Sequence, residues 1–345
     1  MTKDIPHVHH CETVTEFLAY LSPQNGDWGD EPNSWIFRGQ ADSNWSLVPK
    51  ILRLIPNGKE EWDDQSKTAR IRRQVLDTIE PHYLKGNLRL SIEWALVDEF
   101  LRAADLAGLH IPEDTQLRRN LTLVHQEMLR MGPGRGSWPP ASWLSSVALA
   151  QHYGIPTRLL DWSWKPKVAM YFACLEVASG HLKSEEIAVW ALHSPVLLLG
   201  TSLLQYHERP VLVTAPYEGN PNLAAQSGVF TVDYDATNSS RPFERFLQEH
   251  LSLAFGKAEW TAEYLKNWNI AWCPFRKVVI SSRHANELLR RLAEEHISAA
   301  TIFPGYRGIY ESLVEQRYWD QRPWDEYNRA LMDSLARDAD STSAI

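Results

Sequence analysis

The sequence has few cysteines, no excess of positive charge and no long apolar run. Its three cysteines, Cys11, Cys174 and Cys273, are odd in number and far apart. They predict reduced thiols, and neither a disulfide framework nor a paired metal-ligand motif. The formal net charge of -8 argues against a protein that coats DNA, because non-specific affinity comes from Lys and Arg that neutralise phosphates. A local basic groove is still compatible with this charge.

Segments that direct a chain to or across a membrane are missing as well. Residues 1–12 contain acids, histidines and a proline where a signal peptide needs an apolar core. No apolar run approaches the roughly 18–20 residues that cross a bilayer. We therefore expect a cytoplasmic protein with no membrane partner. We interpret His7, His9 and His10 as part of a solvated tail, with adventitious metal binding as the alternative, and predict no metal site.

The patterning that is present predicts an α+β fold. Short apolar runs predict strands at residues 34–38, 157–162, 187–193, 229–232 and 277–281. Helical spacing predicts helices at residues 60–105, 117–131, 141–153, 166–178 and 284–296. The strands alternate with helices of uneven length and without regular βαβ spacing, which favours α+β over a doubly wound sheet.

Two segments are specific enough to indicate a family. The first reads WIFRGQ at residues 35–40, followed by WSLVP at 45–49. The second reads ALAQHYGIPTRLLDW at 148–162 and continues as AMYFA at 169–173. Both resemble the hallmark blocks of the FRG domain, named for a Phe-Arg-Gly that here is Phe37, Arg38 and Gly39. Weaker echoes are QSGVFT at 226–231 and TIFPG at 301–305.

This resemblance implies a domain plan and a fold. We expect an N-terminal segment at residues 1–33, an FRG domain at 34–315 with a helical insertion at about 60–131, and a helical tail at 316–345. The family resembles, more distantly, the ADP-ribosyltransferase fold, which implies a mixed β core and NAD as a substrate. A protein of that kind would transfer ADP-ribose to a macromolecule, with RNA preferred over DNA or protein. It would act as a toxin or phage-defence component, neutralised by an antitoxin or accompanied by a chaperone.

The resemblance also assigns roles to residues of the first block. Arg38 would hold the pyrophosphate of NAD, with Gly39 beside it, because a guanidinium offers a planar fork of donors to phosphate oxygens. The alternative is an arginine that pairs with a carboxylate and stabilises the end of a strand.

In the second block, the resemblance places Thr157, Arg158, Trp162 and Ser163 at the nicotinamide end of the ligand. Three of them have a structural alternative, which for Trp162 is core packing. Arg158 could pair with Asp161 or with a distant carboxylate, since a buried charge needs a partner. Ser163 could instead cap the following helix.

Three further residues are candidates for catalysis. His152 could accept a proton, although a helix C-terminus favours histidine for its charge alone. Tyr153 could stack on nicotinamide. By the same resemblance, Gln226 occupies the position of the catalytic glutamate, where an amide keeps a hydrogen bond to ribose but lacks the charge. Transfer could still occur if a carboxylate arrives from elsewhere in the chain. The chain could therefore instead be a nucleotide- or nucleic-acid-binding module without catalysis, or an interaction scaffold.

Overall fold

A seven-stranded mixed sheet forms the centre of the protein. The computed structural model describes residues 6–54, 88–114, 138–198, 210–233, 241–255, 258–270 and 273–319. The strand order is β1-β7-β4-β2-β3-β6-β5. The strands are β1 (His7–Cys11), β2 (Trp35–Gln40), β3 (Leu159–Ser163), β4 (Glu186–His193), β5 (Val211–Val213), β6 (Gly228–Val232) and β7 (Phe275–Ser281).

The sheet is mixed because one edge pair differs from the rest. Strands β1 and β7 run parallel, and every other neighbouring pair is antiparallel. The predicted mixed β core with surrounding helices is therefore confirmed. Each of the five predicted strands is present, with ends within about two residues of those expected from the apolar runs.

Helices cover both faces of this sheet. They are α1 (Val14–Tyr20), α2 (Lys50–Leu54), α3 (Leu88–Leu106), α4 (Leu144–His152), α5 (Pro166–Ala178), α6 (Pro221–Gln226), α7 (Phe243–Phe255), α8 (Ala258–Asn267), α9 (Ala285–Glu294), α10 (Ala299–Ile302) and α11 (Tyr306–Trp319). The predicted helical insertion is thus helical over Leu88–Leu106. Residues 60–87 and 115–131, and the predicted tail beyond residue 319, lie outside the described residues.

Helix α5 packs directly on strand β2, and the contact explains Gly39. The helix begins at Pro166, whose fixed φ suits a first helical turn. A Cβ on Gly39 would lie 1.9 Å from the main-chain oxygen of Ala169 and 2.6 Å from the nitrogen of Ala173. Any side chain at residue 39 would therefore push the helix off the strand. The glycine is required for close packing at this point.

Helices α3 and α4 lie against the other half of the sheet. Their apolar side chains join a cluster with residues of β3, β5 and β6, including Val97, Leu101, Val147, Leu159 and Phe230. This cluster orients the C-terminal end of α4, which lies beside β3. The segment predicted as an insertion thus supports the second hallmark block directly.

The N-terminal histidines do not form a solvated tail, so that prediction was wrong. His7, His9 and His10 belong to β1, which pairs along β7 from His7 opposite Arg276 to Cys11 opposite Ile280. The partner strand is near the other end of the chain, and local composition carries no signal for such pairing. His9 also stacks on Tyr20, with ring centroids 3.8 Å apart.

Two properties expected from composition can be compared with the structure. All three cysteines are buried and unpaired. Within the described ranges, none of the helices has the length and apolar character needed to cross a membrane.

Candidate functional site

Strands β2 and β3 are neighbours that pair at a single position. Phe37 lies opposite Ser163, and no second pair joins these two strands, both of which are fully described. By contrast, β2 pairs with β4 along its whole length. The antiparallel direction places Arg38 on β2 and Asp161 on β3 beyond the single pair. A cleft opens where the two strands separate.

The cleft has a volume of about 430 Å³, within the range of sites for small molecules. Its lining comes from β2 and the following loop, α2, the end of α4, β3, α5, α6 and Phe303. The lining residues are Phe37, Arg38, Gly39, Gln40, Ala41, Trp45, Lys50, Arg53, Gln151, His152, Asp161, Trp162, Ser163, Val168, Ala169, Phe172, Glu176, Asn222, Gln226 and Phe303.

Arg38 bridges the gap between the separated strands. Its Nη1 donates to the main-chain oxygen of Asp161 at 2.7 Å and lies 3.6 Å from Oδ2 of the same residue. Its Nε is buried without a hydrogen-bond partner among the described residues. Burial lowers the pKa of Arg38 and the Asp161 carboxylate opposes this effect, but an arginine stays protonated in a protein. A positive charge with unused N–H donors therefore lies in the cleft.

Two further cations lie at the rim of the cleft, both on α2. Lys50 donates from Nζ to the main-chain oxygen of Gly154 at 3.1 Å. Arg53 is exposed and forms no ion pair with a described residue. Beside them, Trp45 is 37% exposed. The cleft thus combines an accessible aromatic surface with positive charge, although the whole chain is acidic.

Asp161 is held by two other residues of the second hallmark block. Gln151 donates from Nε2 to Oδ2 of Asp161 at 3.0 Å. The oxygen of the same amide accepts from the Thr157 hydroxyl at 2.9 Å and from the Thr157 main-chain N–H at 3.2 Å. Because both Thr157 donors need an acceptor, the amide can take only one orientation, with its NH₂ group towards Asp161.

His152 lines the cleft, whereas Tyr153 does not. His152 is the last residue of α4, and its Nε2 is buried without a hydrogen-bond partner among the described residues. Burial lowers the pKa of His152, and the nearby charge of Asp161 partly offsets this. Tyr153 is half exposed outside the cleft, where its hydroxyl lies 3.3 Å from Oδ1 of Asn220. The two predicted catalytic neighbours therefore face different surroundings.

Trp162 and Ser163 line the cleft and also make structural hydrogen bonds. The indole N–H of Trp162 donates to the Thr231 hydroxyl at 2.8 Å. The Ser163 hydroxyl donates to the main-chain oxygen of Gln226 at 2.6 Å and accepts from the main-chain N–H of Lys165 at 2.9 Å. The serine therefore connects β3 with the end of α6 and with the residue that precedes α5.

Gln226 ends helix α6 and lines the cleft next to the end of β3, where Ser163 bonds to its main-chain oxygen. The left-handed Ser227, with φ 47°, turns the chain from this helix into β6. The Gln226 amide nitrogen donates to the main-chain oxygen of Ile302 at 3.3 Å. Its oxygen is therefore the end of the amide that remains to accept a hydrogen bond from a ligand.

Arg158 and Thr157 lie outside the cleft lining. Arg158 is buried and pairs with Glu93 of α3, from its Nε to Oε2 at 2.9 Å and from its main-chain N–H to Oε1 at 2.7 Å. Of the alternatives open for Arg158, the structure shows the distant partner, and Asp161 is paired with Arg38 instead. Thr157 is fully buried and acts on the cleft through Gln151.

Sequence reasoning did not select several residues that line the cleft. Gln151 lies within the second hallmark block. Its spacing from Asp161, which on sequence grounds could orient a nucleophile or hold a loop, does not show that the two side chains touch. Lys50 and Arg53 are three apart on a short helix, a pattern shared with many solvated helix faces. Phe303 lies in the TIFPG echo at 301–305, but the sequence does not show that this distant segment reaches the cleft beside Arg38.

A comparison with protein families identifies the part of the chain that contains β2 and β3. The family model described as FRG domain matches residues 33–181. This chain contains an FRG domain. The match includes Arg38, Gly39 and the whole hydrogen-bonded chain from Thr157 through Gln151 to Asp161. Strands β4–β7 of the same sheet, and Gln226, follow the matched residues.

Searches among curated proteins and among solved structures gave no match. The likeness to the ADP-ribosyltransferase fold therefore stays a prediction, and so do NAD as substrate and the extent of the FRG domain to residue 315.

Proposed function

We propose that this FRG protein is an NAD-dependent ADP-ribosyltransferase whose active site is the cleft between β2 and β3. The proposal rests on one observation, which is that side chains from distant segments of the chain line the same cleft. Arg38 from β2, Asp161 and Trp162 from β3, and Gln226 from the end of α6 line one cleft, although they are far apart in sequence. A dinucleotide needs cations for its pyrophosphate, apolar surfaces for its rings and polar groups for its riboses, and the cleft offers all three.

The pyrophosphate is assigned to the cationic side of the cleft. Arg38 uses one N–H in its bond to the main-chain oxygen of Asp161, and the planar group has further donors to offer. Arg53 and Lys50 at the rim add positive charge beside it. A diphosphate with two negative charges would neutralise part of this cluster, and charge-assisted hydrogen bonds to phosphate oxygens are among the stronger ones in proteins.

The rings and the nicotinamide ribose are assigned to the aromatic and amide side chains of the lining. Phe172 and Phe303 lie edge to face, with ring centroids 6.1 Å apart, and Trp162 of β3 lines the same cleft. The oxygen of Gln226 would accept a hydrogen bond from a ribose hydroxyl, since its nitrogen is bound to Ile302. Tyr153, Thr157 and Arg158 have no direct contact with the ligand in this proposal.

The acceptor is assigned to the open rim. Trp45 is partly exposed beside Lys50 and Arg53, and a base of single-stranded RNA can stack on an aromatic ring while cations hold its phosphates. RNA is therefore the acceptor we favour over DNA and protein. An enzyme that modifies a cellular macromolecule would act as a toxin or phage-defence effector, with an antitoxin or chaperone as its partner.

A labelling experiment tests the proposal. The purified protein is incubated with NAD labelled in the adenylate phosphate and with heat-treated bacterial extract, and the product is digested with RNase, DNase or protease. We expect an RNase-sensitive label together with release of free nicotinamide. Arg38→Ala should abolish both, and Arg38→Lys should reduce them, because a lysine keeps the charge but lacks the planar fork.

The control for these variants is Arg307→Ala. Arg307 is exposed on α11, where it pairs with Glu311 at 2.8 Å, and it does not line the cleft. This variant should label like the wild type. The proposal fails when the wild-type protein forms no labelled product and releases no nicotinamide.

One observation favours a second candidate, a nucleotide-binding module without catalysis. Residue 226 is an amide that donates to Ile302, so this position supplies no negative charge for bond cleavage. A module of that kind would still use Arg38, Lys50 and Arg53 to bind phosphates. NAD would then raise the melting temperature, as any ligand of the folded state does, without release of nicotinamide.

A further inference from the structure

The position of Asp161 is unusual for a residue in the interior of a sheet. Strand β3 lies between β2 and β6, and its other four residues are buried. The Asp161 side chain is nevertheless 50% exposed. Its exposure arises because β2 has separated from β3 at this position, so the carboxylate faces the cleft and not a neighbouring strand.

Both contacts that hold the Asp161 side chain involve the same oxygen atom. Oδ2 accepts from Gln151 at 3.0 Å and faces Nη1 of Arg38 at 3.6 Å. The other oxygen, Oδ1, has no hydrogen-bond partner among the described residues. Gln151 is nearly buried and is itself fixed by Thr157, so the orientation of the carboxylate does not depend on a flexible neighbour.

We propose that Asp161 is the catalytic carboxylate of this site and that Gln151 is its positioning residue. This inference rests on the proposed function. In it, the Asp161 carboxylate supplies the negative charge that the Gln226 amide lacks. Cleavage of the bond between nicotinamide and ribose leaves positive charge on the ribose, which a fixed carboxylate stabilises at the transition state. Oδ1, which has no hydrogen-bond partner among the described residues, is the atom available for that interaction.

The proposed step balances without a further reactant. The bond between ribose C1′ and the nicotinamide nitrogen breaks, and its electron pair leaves with nicotinamide, which becomes neutral. A new bond forms between C1′ and an acceptor oxygen, and the acceptor proton passes to His152 or to water. Asp161 forms no covalent bond in this step, because its role is electrostatic.

The cleft contains a natural control for this assignment. Glu176 is a second carboxylate of the lining, on the exposed side of α5, and it has no part in the proposed step. Glu176→Gln removes the same formal charge from the cleft as Asp161→Asn does. A comparison of the two variants therefore distinguishes an effect on kcat of the carboxylate at residue 161 from an effect of the total charge of the cleft.

The experiment measures NAD binding by calorimetry and nicotinamide release at saturating NAD, with heat-treated bacterial extract as the source of acceptors. We expect Asp161→Asn to bind NAD within about threefold of the wild type and to lower kcat by about 10²–10³-fold, as loss of one transition-state contact does. Glu176→Gln should lower kcat far less than Asp161→Asn does. Gln151→Met should lower kcat and leave NAD affinity nearly unchanged, because the carboxylate is present but no longer fixed.

Two different results overturn the inference, and they can be distinguished. A kcat for Asp161→Asn within threefold of the wild type, or an equal loss in Glu176→Gln, removes Asp161 from the mechanism while the proposed function survives. A wild-type protein that releases no nicotinamide contradicts both the assignment of Asp161 and the proposed function. Rates are measured well below the melting temperature of each variant, so that a loss of folded protein is not read as a loss of chemistry.

Discussion

Arg158 and Glu93 form a buried ion pair that joins the second hallmark block to helix α3. The two residues are 65 apart in sequence, and Glu93 accepts both from the Arg158 side chain and from its main-chain N–H. Glu93 has no exposed surface. The arginine of the Thr-Arg-Leu-Leu-Asp-Trp segment is therefore bound to the scaffold, and the adjoining β3 presents Asp161 to the cleft.

Removal of one partner of this pair should destabilise the protein strongly. We expect Glu93→Ala to lower the free energy of unfolding by about 3–5 kcal/mol, because it leaves the Arg158 charge buried without a partner. Replacement of both residues by methionine should recover most of that loss, since a buried pair is often no more stabilising than apolar side chains. Urea denaturation measures both effects. A loss below about 1 kcal/mol in the single variant would contradict the assignment.

Gly39→Ala should destabilise the protein although only one methyl group is added. The new Cβ would lie 1.9 Å from the main-chain oxygen of Ala169, so strand β2 and helix α5 would have to separate. We expect a loss of about 1–3 kcal/mol or more, as for other overpacked cores. Gly26→Ala is the control, because nothing lies within 4 Å of a Cβ there. Equal melting temperatures for the two variants would show that the contact does not limit packing.

Gln226→Glu tests whether the cleft needs a carboxylate at the position where the resemblance expects one. A glutamate has no donor for the main-chain oxygen of Ile302, and its charge would face that oxygen. We expect a loss of about 1–3 kcal/mol in stability, as for a lost hydrogen bond with an unsatisfied partner, and no gain in nicotinamide release. A variant that turns over faster than the wild type would contradict the assignment of Asp161.

Glu315 should make stability depend on pH in the direction opposite to most carboxylates. It is buried on α11, where the Tyr171 hydroxyl of α5 and the Ala299 main-chain N–H of α10 both donate to it. Burial raises the pKa of Glu315, and these hydrogen bonds oppose the effect. The folded state therefore holds its proton more tightly than the unfolded state does.

The sign of the pH effect follows from that difference. The contribution of Glu315 to stability is complete below the pKa of about 4.3 that an unfolded glutamate has, and it is lost as pH rises through the higher folded value. Urea denaturation of the wild type and Glu315→Gln at several pH values isolates this contribution. We expect the wild type to lose stability relative to the variant as pH rises, and a gain would contradict the burial effect.

The titration of His152 reports the charge of Asp161 without any ligand. Burial lowers the pKa of His152 below its ordinary value, and the Asp161 carboxylate raises it again in part. We expect Asp161→Asn to lower the midpoint further, measured by NMR on the imidazole protons. An unchanged or higher midpoint would show that the two side chains are not coupled across the cleft.

The sequence alone predicts the elements whose local pattern is strong. The apolar stripe after Pro166 predicts a helix to about residue 178, and α5 has those ends. The run at 187–193 predicts β4 equally well. Both succeed because the signal lies within the segment itself: a proline and apolar spacing for α5, and an unbroken apolar run for β4.

The parts that could not be predicted depend on contacts between distant segments. Strand β1 consists of three histidines, a valine and a cysteine, and its pairing with β7 decides its structure. The partner of Arg158 lies on a helix with several acidic residues, and helical spacing does not show which of them points inward. For the same reason the resemblance indicated Arg38 but could not show that Gln151 fixes Asp161 beside it.

The most direct test of the account is calorimetric titration of NAD into the wild-type protein and into Arg38→Lys, followed by assay of the same samples for nicotinamide. We predict that the wild type binds NAD and releases nicotinamide, and that Arg38→Lys binds at least tenfold more weakly, a difference of about 1.4 kcal/mol. Equal affinity in the two proteins, or no heat of binding in either, would contradict a dinucleotide site between β2 and β3.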